Sequence, residues 1–238
     1  MFTRLGLCAI LCGTLAAGAE IHGTIIIDHQ LTHRNVTAAA GLYQRGVAVE
    51  LKADSDEDPL AFERTHVAVY IEKGPDAAAP GNAIASPAAS IEQRDRRFSP
   101  DLVIIPAGAS VAFPNFDPIF HNVFSLSKPK SFDLGNYSKG QTRVVSFPTP
   151  GIVAVYCHLH PNMAATIVVA PTRWATHVDG VGNFTLKNVP PGTYTVVAWH
   201  KTAGTFTKTV AVSDARDSEV SFTLPYVEPT DVKHVAHN

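Results

Sequence analysis

Short runs of β-branched and aromatic residues, separated by Gly and Pro, recur along almost the whole chain. The 238 residues include 16 Gly and 17 Pro, and helical periodicity is hard to find among them. Runs such as His66 to Glu72 and Thr193 to Trp199 are typical of strands. Because turn residues punctuate these runs throughout, the sequence predicts an all-β protein built from packed sheets.

The first 19 residues have the features of a secretory leader. Arg4 supplies a short positive region, Leu5 to Ala17 is apolar, and Ala17-Gly18-Ala19 is a small-residue cleavage site. The apolar run is too short to span a bilayer and no later run is long enough, so we expect no membrane span after cleavage. A retained N-terminal anchor is the less favoured alternative. The leader predicts export, and we expect the protein in the periplasm.

The chain after the leader divides into blocks by composition and strand spacing. Residues 20–73 and 171–225 each hold too few strands for an independent core, so we expect them to pack together as one discontinuous β-sandwich. Residues 74–89 are rich in Ala, Pro and Gly and are predicted to be a linker, and residues 90–170 are predicted to be an inserted β-sandwich. Residues 226–238 form a polar tail that we expect to be flexible.

Within the inserted block, the strand pattern places one loop between the last two strands. Phe98 to Ile105 and Ser110 to Phe113 are predicted as strands joined by a turn. Ile152 to Tyr156 and Ala165 to Val169 are predicted as the closing pair. The segment between this closing pair carries the most chemical information in the chain.

That segment reads Tyr156-Cys157-His158-Leu159-His160-Pro161-Asn162-Met163. It places a thiol, an imidazole three residues on and a thioether three residues further on one tight loop. These soft and borderline ligands, Cys157, His160 and Met163, select copper over harder metals. Two His and one Cys with a weak axial Met form the ligand set of blue-copper electron-transfer sites, so one more His must come from elsewhere.

The solitary thiol of the exported chain supports the same interpretation. Cleavage after Ala19 removes Cys8 and Cys12, and Cys157 then has no internal disulfide partner. An odd Cys in an exported protein is a liability unless it pairs between chains or has a function. Copper binding is such a function, because ligation keeps the sulfur as a thiolate.

His121 is the best candidate for the second imidazole. It is the only His of the inserted block before the loop, and it lies in the stretch Asn115 to Val123. His158 competes within the loop, but it directly follows Cys157, and adjacent side chains of an extended segment point to opposite faces. We therefore predict that His121 and His160 share the metal with Cys157, and that His158 does not.

Two other interpretations of the loop are open. Cys-x-x-His can be half of a zinc site, but the chain has no second Cys pair and Met is a poor zinc ligand. A buried structural Cys is the other, but it would not require His160 and Met163 at these spacings. We favour one copper ion that alternates between Cu(I) and Cu(II).

These residues resemble the cupredoxin family. The Cys-x-x-His-x-x-Met spacing, with Pro161 after the His, is most similar to the ligand loop of the amicyanin type. The resemblance implies a Greek-key β-sandwich over residues 90–170, in which the backbone N–H of Asn122 bonds to the cysteine sulfur. The segment Phe124 to Tyr137 departs from small members of the family. The copper ligands that the resemblance implies are His121, Cys157, His160 and axial Met163.

The last block resembles the carboxypeptidase regulatory-like, transthyretin-type domain. The resemblance rests on the motif Asp-Gly-x-Gly-x-Phe-x-Leu-x-x-Val-Pro-Pro-Gly-x-Tyr-x-Val from Asp179 to Val196. In that family an early strand pair precedes the motif, as Ile21 to Ile27 and His66 to Glu72 do here. The resemblance implies a scaffold and binding module without catalysis.

A second copper site at the mature N-terminus is a weaker hypothesis. If cleavage follows Ala19, the chain begins Glu20-Ile21-His22, which can chelate Cu(II) or Ni(II) through the amine, two amides and the imidazole. A His at the start of a strand is the favoured alternative. The remaining histidines carry no informative spacing or motif: His29, His33, His66, His177, His200, His234 and His237.

The leading functional hypothesis is one-electron transfer in the periplasm between redox partner proteins. The formal net charge of -2 gives no basic footprint for nucleic acid. His160, beside Pro161, is the predicted electron port. The alternative is copper storage, delivery or tolerance, which the additional domain and the scattered histidines favour.

A copper enzyme is a third hypothesis. His158 beside Cys157 is the kind of neighbour that multicopper oxidases and nitrite reductases use to reach a further copper centre. However, Tyr156 occupies the other side of the Cys, and no upstream His-x-His pair exists. We therefore do not expect an enzyme, unless a partner subunit supplies ligands.

Overall fold

The computed structural model describes residues 18–32, 58, 60–75, 87–214 and 216–225. The predicted tail lies outside these residues, as do the predicted leader up to residue 17 and most of the predicted linker. His33, His234 and His237 also lie outside them.

Strands make up nearly all the regular structure of the described residues, which confirms the predicted all-β class. The one short helix described is α1 (Ala61–Thr65). No helix in the described part of the chain is long and apolar enough to cross a bilayer. In chain order the strands are β1 (Ala19–Ile26), β2 (Val67–Lys73), β3 (Ala89–Ser90), β4 (Glu92–Arg94), β5 (Arg97–Ser99), β6 (Leu102–Pro106), β7 (Ser110–Pro114), β8 (His121–Ser127), β9 (Lys130–Tyr137), β10 (Thr142–Ser146), β11 (Gly151–Tyr156), β12 (Ala164–Ala170), β13 (Ala175–His177), β14 (Asn183–Val189), β15 (Gly192–His200), β16 (Gly204–Val212) and β17 (Ser218–Thr223).

One β-sandwich is built from the sheets β14-β1-β17 and β13-β2-β15-β16. In the first sheet, β1 runs antiparallel to β14 and parallel to β17. Inward-facing side chains of the two sheets form one hydrophobic core, because alternate strand residues point to the same face. Large members of this core are Ile21, Val69, Trp174, Tyr194 and Phe222.

A second β-sandwich is built from the sheets β10-β7-β3 and β6-β12-β11-β8-β9. Its core is separate from the first and draws on residues between Ile91 and Val169. Large members of this core are Ile91, Phe113, Tyr137, Phe147 and Ile167. The predicted fold class, two β-sandwiches in one chain, is therefore confirmed.

The chain passes from the first sandwich to the second and back again. The first core uses residues between Ile21 and Ile71 and again between Trp174 and Leu224, on either side of the second core in sequence. The return of the chain lets β1 and β2 pair with strands of the last block. The exact domain boundaries stay a prediction.

The two sandwiches meet through a small apolar cluster. Ala68 of β2 is buried with Leu102 of β6 and Val168 of β12, and Trp199 of β15 packs against them. As a result β12 is buried on both faces and has almost no polar side chain. A strand covered on both sides favours such a continuous apolar sequence.

Three local features differ from the sequence prediction. The sequence predicts one strand from Phe98 to Ile105, whereas in the structure Pro100 and Asp101 separate β5 from β6. The strand is interrupted there because Pro has no N–H to donate to a neighbouring strand. Most of the unusual segment Phe124 to Tyr137 forms the hairpin of β8 and β9. The helix α1 and the hairpin of β4 and β5 were not predicted.

Candidate metal centre

The ligand-bearing loop connects β11 to β12 and runs from Cys157 to Met163. Tyr156 and Ala164 pair across the two strands, so the ends of the loop are fixed side by side. The backbone N–H of Met163 donates to the carbonyl of His160 at 2.9 Å and tightens the loop. Cys157 and Met163 are buried, whereas His160 is half-buried. The predicted position of the loop between the closing strands is confirmed.

His121 reaches the loop from the neighbouring strand. It is the first residue of β8, and its side chain is fully buried. β8 lies beside β11, where Phe124 pairs with Tyr156, the last strand residue before the loop. The sheet therefore positions the start of β8 next to the loop.

The donor atoms of His121, Cys157 and His160 all lie within 4.8 Å of one another. Nδ1 of His121 is 3.1 Å from Nδ1 of His160, and Sγ of Cys157 is 3.9 Å from the latter nitrogen. A tetrahedral metal with bonds of about 2.0 Å to nitrogen and 2.3 Å to sulfur holds its ligand atoms about 3.3–3.6 Å apart. The three side chains thus have the spacing of a metal site, and their donor set fits copper.

Three of the four predicted ligands are therefore brought together, and the fourth lies at the end of the same loop. Met163 is fully buried in the core that also contains Cys157. Its role as an axial ligand stays a prediction, as does copper ligation by the other three.

A buried carboxylate binds the far side of the His121 ring. Nε2 of His121 lies 2.7 Å from Oδ2 of Asp117, and the two side chains are 0% and 8% exposed. A carboxylate can only accept, so the proton of the neutral ring belongs on Nε2 and the lone pair on Nδ1. Nδ1 is the nitrogen that faces the cluster.

The backbone holds this carboxylate in place. Oδ1 of Asp117 accepts from the N–H of Asp95 at 2.7 Å, and Oδ2 accepts from the N–H of Arg96 at 2.9 Å. Burial alone would raise the pKa of Asp117, but the hydrogen bonds from Arg96, His121 and Asp95 outweigh it and lower the pKa. The side chain therefore stays ionised beside His121.

The surroundings of His160 favour the neutral imidazole. Burial is the main cause that lowers the pKa of His160, and the guanidinium of Arg96 lowers it further. A neutral imidazole is the form that ligates metals, and a lowered pKa keeps that form at neutral pH.

Asn122 and His158 contact each other and the β8–β9 hairpin. Nδ2 of Asn122 donates to Oδ1 of Asp133 at 2.6 Å, and Oδ1 of Asn122 accepts from the backbone N–H of His158 at 3.5 Å. Asn122 therefore ties the ligand loop to the hairpin. The predicted contact between its backbone N–H and the sulfur of Cys157 stays a prediction.

The side chain of His158 lies outside the donor cluster. Its ring stacks on Phe124 with centroids 3.7 Å apart, and its Nε2 lies 3.4 Å from Oδ2 of Asp133. The ring is 55% exposed, which fits the expectation that it points away from Cys157.

The N-terminal chelate is incompatible with the strand that contains it. His22 lies in β1, the central strand of its sheet, and pairs with Thr185 on one neighbour and Glu219 on the other. Chelation would need the amide nitrogens of Ile21 and His22 on one metal, whereas a central strand commits its backbone to hydrogen bonds with its neighbours. The favoured alternative, a His within a strand, describes this residue.

Two further His–carboxylate pairs lie away from the cluster. Nε2 of His200 lies 3.2 Å from Oε2 of Glu63, and both side chains are 1% exposed. Nε2 of His66 lies 2.8 Å from Oδ1 of Asp101 and joins the first sandwich to the second. The sequence offered no spacing that pairs these residues.

Asp117, the buried partner of His121, is the residue of this candidate site that sequence reasoning missed. It lies four residues before His121 and directly before Pro118, where an Asp is typical of a turn. The short spacing to a candidate ligand was the available signal, since a metal-binding His commonly donates its other ring N–H to a carboxylate.

A family model, the carboxypeptidase regulatory-like domain, matches residues 160–225. The match begins inside the ligand loop and includes the motif from Asp179 to Val196. The resemblance predicted for the last block is confirmed over these residues.

Solved cupredoxin structures are similar to part of this chain. Amicyanin from Paracoccus versutus is 22% identical, with 44% of this chain and 97% of that chain covered and a TM-score of 0.33. A purple cupredoxin from Nitrosopumilus maritimus is 24% identical, with coverages of 34% and 99% and a TM-score of 0.32. These neighbours are the family predicted from the loop.

A copper-containing nitrite reductase from Thermus scotoductus is similar over a comparable stretch. It is 24% identical, with 35% of this chain covered and a TM-score of 0.34. The chain spans only 22% of the length of that enzyme. Because all these TM-scores are low, the metal assignment rests on the side chains of the site. No sequence among curated proteins matches this chain.

Proposed function

We propose that this protein is a periplasmic mononuclear blue-copper protein that carries single electrons between redox partner proteins. The proposed ligands are His121, Cys157, His160 and, in the axial position, Met163. Copper bound there would supply a Cu(I)/Cu(II) couple.

The observation that carries this proposal is the convergence of one thiol and two imidazole nitrogens. The donor atoms of His121, Cys157 and His160 lie within 4.8 Å although β8 and the loop are distant in sequence. A thiolate with two imidazoles is the donor set of blue-copper sites, and a buried thioether on the same loop completes it.

The protein holds this donor set with little freedom to rearrange. Cys157 and Met163 are packed into the hydrophobic core, and Asp117 fixes the ring of His121. Ligands locked by packing and by hydrogen bonds keep one geometry in both oxidation states. A small rearrangement is what rapid electron transfer requires.

We place the electron port at His160, because it is the least buried of the four proposed ligands. The apolar side chains beside the ligands are exposed, with Phe120 at 59% and Leu159 at 47%. An apolar surface around an exposed ligand suits brief contact with a redox partner protein.

Export to the periplasm is part of the same proposal. It is supported by the leader pattern of residues 1–19 and by the single remaining thiol, Cys157. Fractionation of cells that express the full chain tests it, and a product that keeps its first 19 residues in the cytoplasm would contradict it.

We propose a carrier rather than an enzyme. The ring of His158, the residue that could extend the site to a further centre, stacks on Phe124 and contacts Asp133. Among the described residues, a single group of three or more His, Cys, Asp or Glu side chains is close enough together to hold a metal ion. That group is His121, Cys157 and His160.

Copper titration combined with electron self-exchange separates the carrier from a copper storage or delivery protein. A carrier binds a single copper ion tightly and shows rapid self-exchange by NMR line broadening. A storage protein binds several ions with graded affinity, and that result would replace the proposed function with the alternative.

The axial ligand is tested by Met163→Leu. Leu and Met have similar volumes, so the free energy of unfolding is expected to fall by less than about 1.5 kcal/mol. Loss of the thioether is expected to raise the reduction potential while the thiolate absorption remains, since the axial ligand tunes the potential. An unchanged potential would contradict an axial role for Met163.

A further inference from the structure

We propose that Asp117 is a positioning residue of the metal centre, which holds the ring of His121 in place and favours the oxidised ion. The inference rests on the proposed function, because it concerns the ligand set of that site. It assigns a role to a side chain that does not itself reach the donor cluster.

The contact between Asp117 and His121 fixes which nitrogen of the ring faces the cluster. Oδ2 of Asp117 lies 2.7 Å from Nε2 of His121. Nε2 must donate in this contact, so Nδ1 carries the lone pair and faces Nδ1 of His160 at 3.1 Å. Without the carboxylate, the ring could rotate or exchange its tautomer.

The carboxylate is bound to the turn between β4 and β5. Asp95 and Arg96 form this turn, and their backbone N–H groups donate to the two oxygens of Asp117. Successive backbone N–H groups in a turn make a concave binding site for an anion. Asp117 therefore has separate donors for each oxygen and little freedom to move away from His121.

The backbone of this turn is unusual for its sequence. Asp95 and Arg96 have φ angles of 54° and 56°, in the left-handed region where a two-residue hairpin turn normally uses Asn and Gly. Side chains other than Gly adopt this region infrequently. The conformation is the one that directs both N–H groups at Asp117.

A second set of hydrogen bonds fixes the backbone at Asp117. Its N–H donates to Oδ1 of Asn115 at 2.9 Å. Nδ2 of Asn115 in turn donates to the carbonyls of Ile119 and Tyr137 at 2.9 and 3.0 Å. The segment before His121 is thus bound to β9 as well as to the turn.

The charge of Asp117 has a consequence for the ion. A carboxylate that accepts from the far N–H of an imidazole ligand makes that imidazole a stronger donor. Stronger donation favours Cu(II) over Cu(I) and lowers the reduction potential. A purely structural clamp would change stability but would not change the ratio of the two affinities.

Asp117→Asn tests the inference, because it keeps the size of the side chain and removes its charge. We expect Cu(II) affinity to fall about 10–100-fold and Cu(I) affinity to fall less, so that the reduction potential rises. The matched control is Asp133→Asn, since Asp133 contacts Asn122 and His158 but no proposed ligand. Its potential should stay close to that of the wild type.

The outcomes separate the inference from the proposed function. A wild-type protein without thiolate absorption after copper loading would contradict the proposed function. A wild-type protein with that absorption, and with the same potential in folded Asp117→Asn, would overturn the inference alone.

A measurement on the wild type covers the case in which Asp117→Asn does not fold. Long-range proton–nitrogen correlation spectra of the diamagnetic Cu(I) protein identify the tautomer of His121. A proton on Nε2 is expected, and a proton on Nδ1 would overturn the inference.

Discussion

Two buried histidines, one in each sandwich, each contact a carboxylate. Nε2 of His121 lies 2.7 Å from Asp117, and Nε2 of His200 lies 3.2 Å from Glu63. All four side chains are almost completely buried. By this contact alone, the two histidines would be assigned the same role.

The second ring nitrogen distinguishes them. Nδ1 of His200 accepts from the backbone N–H groups of Thr202 and Ala203, both at 3.2 Å. Nδ1 of His121 faces Nδ1 of His160 at 3.1 Å. Both nitrogens of His200 therefore have partners within the first sandwich, the backbone at Nδ1 and Glu63 at Nε2. Nδ1 of His121 instead faces another proposed metal ligand.

The carboxylates also serve different purposes. Glu63 accepts from the N–H groups of Leu31 and Thr32, so with His200 it joins three parts of the first sandwich. Burial lowers the pKa of His200 although Glu63 opposes this, which favours the neutral ring. A buried His–carboxylate pair therefore indicates a metal ligand only when the remaining nitrogen faces further ligands.

The largest effect should come from His121→Ala. Loss of a hydrogen-bond partner outside the ligand set lowers metal affinity by up to about 100-fold. His121→Ala removes a ligand itself, so we expect copper affinity to fall by more than that. Competition with a chelator of known affinity measures this loss. Near-wild-type affinity would contradict the assignment of His121.

His200→Ala should give the opposite pattern. We expect the free energy of unfolding to fall by about 1–3 kcal/mol, because a buried oxygen of Glu63 loses the N–H of His200 that donates to it. Chemical denaturation measures the loss, and copper-loaded protein should keep its thiolate absorption. A variant with unchanged stability and altered copper binding would reverse the comparison.

His66→Gln concerns a less buried pair and should have a smaller, pH-dependent effect. Burial alone would lower the pKa of His66, but hydrogen bonds to Asp101 and Phe62 raise it above its ordinary value of 6.5. The hydrogen bond from His66 lowers the pKa of Asp101 below 3.8. Since Asp101 is 52% exposed, the pair should contribute about 1 kcal/mol at most.

The sign of this pH dependence follows from the two shifts. The contribution of a His with a raised pKa is complete below its unfolded value and is lost as pH rises through the folded value. The contribution of Asp101 is lost only at acid pH, as the pH falls through its lowered pKa. Unfolding curves of wild type and His66→Gln should differ most near pH 5–6 and converge at higher pH. A difference that grows with pH would contradict this account.

The smallest effect should come from His158→Ala. His158 and Asp133 are 55% and 56% exposed, so we expect a change in stability of about 0.5 kcal/mol or less. Thiolate absorption and copper stoichiometry should be unchanged. Loss of a bound copper ion from this variant would instead favour a site that extends beyond Cys157.

The strands and the ligand loop could be predicted because their signals are local. Alternating β-branched residues mark strands such as β2 and β15, and the soft side chains of Cys157, His160 and Met163 lie within one loop. His121 could be identified from the sequence because it is the only His of its block before the loop. Pairing of β8 with β11 then brings His121 next to the loop.

The supporting residues could not be predicted because their partners are distant in the sequence. Glu63 has the sequence of a surface helix residue, and its burial depends on His200 of another sheet. The turn at Asp95 and Arg96 lacks the Gly that normally indicates such a turn. The backbone N–H groups of this turn donate to Asp117, which follows β7 in the chain. The cause of the conformation is therefore not local in the sequence.

The most direct test of the metal centre is the absorption spectrum of the oxidised, copper-loaded protein beside that of Cys157→Ser. An intense band near ~600 nm is expected in the wild type, because thiolate ligation of Cu(II) in a blue site produces it. The Cys157→Ser protein should lack that band while it remains folded. Absence of the band from the oxidised wild type, or its persistence in Cys157→Ser, would contradict a copper site built on Cys157, His121 and His160.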